Sequence, residues 1–91
     1  MKPIETVYKV DNPKGFLILK MMGADTQKIG GNSTCDWCGE ISTDGYYISV
    51  LNMWYCDKCY NDWLQRAKRF ESDILIEEKN YSKMCHFFKI E

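Results

Sequence analysis

Apolar residues recur along this chain with two periods. Residues 4–10, IETVYKV, alternate and are rich in β-formers, and residues 16–22, FLILKMM, form a second apolar run. Between them Asp11-Asn12-Pro13-Lys14-Gly15 is dense in turn residues, so residues 1–22 read as an N-terminal β-hairpin. The FLIL run is continuously apolar and must be covered by the domain core. Residues 23–34 carry three glycines and little apolar content, which reads as a loop. Tyr46 to Val50, then Trp54 and Tyr55, form two short β-prone runs with Asn52 between them. From Tyr60 the period changes. Tyr60, Trp63 or Leu64, Ala67 and Phe70 fall on one helical face. In the tail, Ile74-Leu75-Ile76 and Met84 to Ile90 read as strands joined by a turn near Lys79-Asn80. The competing reading continues the helix through Ile74 and Glu78. The β-branched residues and the Ser72-Asp73 break favour a β segment over residues 73–90.

The cysteines lie across this pattern. Cys35/Cys38 and Cys56/Cys59 are two Cys-x-x-Cys pairs with seventeen residues between them. Two intervening residues let the backbone curl so that both sulfurs of a pair face one centre. Two such pairs close a tetrahedron around zinc. Gly39 follows Cys38, where a metal knuckle needs a positive φ. The second pair opens the helix, whose N-terminal N–H groups and dipole favour thiolates. Asp57 is a candidate for capping its first turn.

Knuckle, hairpin, then knuckle leading into a helix is the order of a treble-clef zinc finger. The spacing resembles the GATA-type finger and one half of a LIM domain, over about residues 35–70. The resemblance implies an α+β fold and a zinc ion on Cys35, Cys38, Cys56 and Cys59. It also implies docking on DNA, as in GATA proteins, or on protein, as in LIM domains. At the second pair this chain has Asp57, Lys58, Cys59 and Tyr60, where GATA fingers usually have Asn-Ala-Cys-Gly. Iron is the rival metal. Rubredoxin-like sites use two such knuckles, often with a glycine after each; Gly39 fits that pattern and Tyr60 does not.

Ninety-one residues allow one small domain with a thin core. A structural zinc contributes about 10–16 kcal/mol to folding in finger peptides, so removing it is expected to unfold at least the centre of the chain. Twelve basic residues stand against thirteen acidic ones, a formal charge of −1. Four thiolates on a divalent ion bring this to about −3, which argues against a surface built wholly for nucleic acid. No apolar run approaches membrane-spanning length. The N-terminal residues lack the apolar core of a secretion signal, so a reducing, cytoplasmic location is expected.

These features point to a non-enzymatic zinc-binding module that docks on another macromolecule. A four-cysteine site leaves no position for catalytic water, and no βαβ pattern supports thioredoxin chemistry. No phosphate-binding glycine pattern occurs, and no small-molecule substrate is expected. Cys85 and the single histidine, His86, lack partners for a second site; a packed Cys85 and a partly exposed His86 are expected. Residues 35–55 carry Asp36, Glu40 and Asp44 and no basic residue, which favours a protein partner over phosphates. Trp37, between the first two ligands, is a candidate partner anchor or a shield for the metal. A nucleic-acid alternative would use the basic helix carrying Arg66, Lys68 and Arg69. Self-association through an edge strand is a third possibility.

Overall fold

A computed structural model describes residues 7–90. Among these residues four strands form one antiparallel sheet in sequence order: β1 (Tyr8–Val10), β2 (Ile18–Lys20), β3 (Gly45–Ile48) and β4 (Met53–Cys56). Three α-helices accompany it: α1 (Gly23–Thr26), α2 (Asp57–Arg66) and α3 (Ile74–Phe87). The fold class is therefore α+β, as the sequence pattern suggests. The expected N-terminal hairpin is present as β1 and β2, and its residues 1–6 lie outside the described residues. Asn12 shapes the turn. Its Oδ1 accepts the N–H groups of Lys14 and Phe16, and its Nδ2 donates to the Phe16 carbonyl at 2.7 Å.

The sheet is covered on both faces, which explains the continuous apolar runs in its strands. Side chains alternate across a strand, so Ile18, Ile48 and Tyr55 share one face, while Leu19, Tyr47 and Trp54 share the other. The first set packs with Phe16, Cys35 and the α2 residues Tyr60 and Trp63. The second packs with Val7, Met21 and Cys85 of α3. Both faces of FLIL are thus used, with Ile18 and Leu19 on opposite sides and both essentially inaccessible. Gly45 is needed where it stands. A Cβ there would lie 2.3 Å from the Trp54 ring, so this position of β3 admits no side chain.

The tail corrects the expected β segment at 73–90. Glu71–Asp73 form a 3-10 turn, and the helix α3 runs from Ile74 to Phe87. The residues that suggested a strand do not face the core: Leu75 is 81 % exposed and Ile76 46 %. The inward stripe is Glu77, Tyr81, Met84, Cys85 and Phe88. This is helical spacing, but it opens on a glutamate and so carries little apolar periodicity. Glu77 is 1 % exposed and fully engaged: Oε2 accepts the Leu17 N–H at 3.0 Å and Oε1 pairs with Arg69 Nη2 at 2.6 Å. Asn80 Nδ2 donates to the Ser49 carbonyl at 2.9 Å. Two polar side chains therefore fasten α3 to Leu17, just before β2, and to the β3–β4 turn.

Two smaller differences concern the loop and α2. Residues 23–34 contain α1 and a 3-10 turn at Gln27–Ile29. Thr26 Oγ1 holds this segment closed, donating to the Gly23 carbonyl and accepting the Ser33 N–H. Helix α2 ends at Arg66, short of Phe70. Lys14 Nζ reaches over from the first turn and donates to the carbonyls of Gln65 and Ala67, at 3.1 and 2.7 Å. A cation at a helix C-terminus satisfies carbonyls that have no partner in the helix and offsets the negative end of the dipole.

Candidate metal centre

Three elements bring the cysteines together. Cys35 and Cys38 sit in a tight turn before β3. Cys56 ends β4 and is the N-cap of α2, and Cys59 is the third helical residue. The four Sγ atoms all lie within 4.8 Å of one another, and Cys38 and Cys56 are 4.0 Å apart. A tetrahedral ion with about 2.3 Å metal–sulfur bonds would hold its sulfurs about 3.8 Å apart. The cluster fits such an ion with small adjustments. No other group of three or more possible metal ligands comes together among the described residues.

The local backbone is arranged for thiolates. Gly39 takes φ 75°, as a knuckle requires, and its N–H donates to the Cys35 carbonyl. Trp37 and Cys38 direct N–H groups at Cys35 Sγ, at 3.4 and 3.5 Å. Burial opposes ionisation of Cys35, but N–H groups of Cys38, Cys56 and Trp37 outweigh it and lower its pKa from 9.0 to about 7. Cys59 moves the other way. Burial raises it, and the crowded thiols of Cys56, Cys38 and Cys35 raise it further. Such crowding disfavours four thiolates without a cation. A coordinated divalent metal reverses that logic and holds thiols deprotonated. The expected cap by Asp57 is not made. Cys56 occupies the N-cap without a side-chain bond, and Asp57 instead places its charge in the first turn, where the dipole favours it.

Asp36, which pattern reading treated only as a surface acid, ties the knuckle to the sheet. Its N–H donates to the Trp54 carbonyl and its Oδ2 accepts the Trp54 N–H, both at 2.9 Å. These are the outward-facing polar groups of edge strand β4. The knuckle thus covers an exposed edge and fixes both cysteine pairs to one frame. A lone Asp within a Cys-x-x-Cys turn gives no sequence signal for this role.

The other candidate residues separate. Trp37 is 61 % exposed, with the Arg66 guanidinium 5.1 Å from its ring centre and Tyr55 beside it. Arg66, Lys68 and Arg69 do not share one helix face, because α2 ends at Arg66. Arg66 also lies 3.8 Å from Asp62, an exposed pair of little energetic weight. Arg69 is committed to buried Glu77 and lies over the Phe16 ring. Lys68 stays exposed in the connection after α2. Cys85 is buried in the α3-side core, away from the metal cluster, and its thiol is pushed up by burial. His86 is exposed. The expected contrast between them holds, produced by adjacent positions on a helix.

Comparison with family models, curated proteins and solved structures returns no match to this chain. Among the described residues no helix is long and apolar enough to cross a membrane.

Proposed function

We propose that this chain is a non-enzymatic zinc-binding module of treble-clef type that docks on another macromolecule, with protein favoured as the partner. The observation that carries this reading is the convergence of four thiols within 4.8 Å on one knuckle and one helix start. The order of parts supports the treble clef: the Cys35–Gly39 turn, the β3–β4 hairpin, then α2 with Cys56 at its N-cap. A set of four thiolates favours zinc in a closed structural site, with no coordination position left for a substrate. Free thiols suit a reducing compartment such as the cytoplasm.

Protein is favoured over nucleic acid for two reasons. The first knuckle and the loop after it expose Asp36, Glu40 and Asp44, against one cation there, Arg66 over the Trp37 ring. On the other side Arg69 is held by Glu77, which leaves few cations for phosphates. Native mass spectrometry with elemental analysis tests the metal. One zinc per chain, absent from Cys38→Ser, is the expected result; iron with a visible absorption band would replace zinc by a rubredoxin-like electron-transfer site. Partner class is tested by purification from the native cell and by titration with mixed oligonucleotides at low salt. Salt-dependent binding lost in Lys68→Glu would establish the nucleic-acid reading instead. Metal-dependent turnover in hydrolase or thiol-oxidoreductase screens would overturn the non-enzymatic one.

A further inference from the structure

A groove of about 810 Å³ opens beside the metal knuckle, between β4, the 26–36 segment and the last turns of α3. Its volume falls in the range of specific binding clefts, about 300–1,000 Å³. Tyr47 and Trp54 form buried parts of its lining, and their polar atoms are already satisfied. Tyr47 Oη donates to Asn52 Oδ1 at 2.6 Å, and Trp54 Nε1 donates to the Met21 carbonyl at 2.8 Å. These residues therefore offer the groove ring surface rather than unmet hydrogen bonds. Ile29, Met53 and Phe87 add apolar lining beside the half-buried Met84 and are 37, 40 and 53 % exposed, a cost in water that an occupant would relieve.

The charged groups are divided between the walls. The side chains of Lys83 and His86, one helical turn apart on α3, make no hydrogen bond or ion pair among the described residues. On the knuckle side stands Asp36, whose carboxylate already accepts the Trp54 N–H. The chain as a whole is acidic, so the lysine beside this apolar groove is a local exception. Complementary charge at a rim sets orientation and encounter rate.

We infer that this groove binds a peptide segment of a partner protein whose apolar side chains enter it and whose acidic residue lies against Lys83 and His86. Asp36 disfavours a second acid on the opposite wall and so fixes the direction of the segment. The inference rests on the protein-partner reading above and names the surface and the chemistry of that partner.

The test pans a random-peptide display library on the zinc-loaded 91-residue chain, then titrates an enriched peptide by NMR. The expected motif is apolar with acid on one side, and the shifts centre on the Trp54 indole and Phe87. Lys83→Gln should weaken binding about tenfold and flatten its salt dependence. Lys79→Gln, one turn away and outside the groove, should leave it unchanged. Enrichment of peptides without an acidic residue, or no enrichment, overturns the proposal. So does a concentration-dependent dimer abolished by Phe87→Ala, which would assign the groove to a second copy. Peptides that bind but map to Trp37 would remove the groove while leaving the protein-partner reading intact.

Discussion

At the scale of single residues, polar side chains do much of the fastening. Glu77 is the clearest case, because it is buried at 1 % exposure and serves both Leu17 and Arg69. Removing Arg69 would strand the buried carboxylate, whereas removing Glu77 leaves the Leu17 N–H without its acceptor and a guanidinium that can reach water. Glu77→Ala should destabilise the metal-loaded protein by about 1–3 kcal/mol in urea unfolding. Arg69→Ala should add far less in that background than alone. Equal effects would show that the two groups act separately. Tyr47 gives a pH prediction. Burial raises its pKa from 10.0 to about 12. Below pH 10 both folded and unfolded forms are neutral, and the stabilisation is fully present. As pH rises from 10 towards 12 the unfolded phenol ionises first, and stability falls. Tyr47→Phe should therefore lessen the loss of stability across that window, as read by alkaline titration of circular dichroism. Gly45→Ala forces a methyl against Trp54 and should cost about 1–3 kcal/mol or more.

At the scale of elements, what could be read from the sequence depended on how each element is stabilised. Strands β1 to β4, the start of α2 and the four ligands announced themselves through turn residues, alternation and cysteine spacing. These signals are local. Helix α3 gave no such signal, because its inward stripe begins with Glu77 and is anchored by Asn80, while Leu75 and Ile76 face outward. The end of α2 was hidden for a similar reason. Lys14 caps it from more than fifty positions away, and no local stop residue marks it. Two expected outcomes follow at this scale. Leu75→Lys should change stability by less than about 0.5 kcal/mol, as an exposed helical position allows. A strand buried at that position would not tolerate it. Lys14→Ala should cost about 0.3–1 kcal/mol and increase amide exchange in the last turn of α2.

At the scale of the whole molecule, one sheet joins two cores. Trp63 reports the α2 side, which includes Cys35 of the metal cluster, and Trp54 reports the α3 side. The two sides meet through β3 and β4, and Asp36 connects the knuckle directly to Trp54. Neither core is large enough to stand without the sheet that they share. Metal removal should therefore collapse both together. The ligands bind metal as thiolates, whereas the unfolded chain at acid pH holds those protons. Stability thus rises with pH while the thiols deprotonate, and falls as acid displaces the metal. Chelator titration, followed by the two indole N–H signals in ¹H–¹⁵N spectra, measures the coupling. Trp54 and Trp63 should lose their folded resonances at the same chelator concentration, and acidification should repeat the result. If the Trp54 signal survives after Trp63 has gone, the α3 side folds on its own and the metal stabilises only the knuckle and α2. Asp36→Ala gives the intermediate case. It breaks the link from the knuckle to β4 while leaving all four ligands, so it should weaken metal retention and separate the two transitions that the intact chain keeps together.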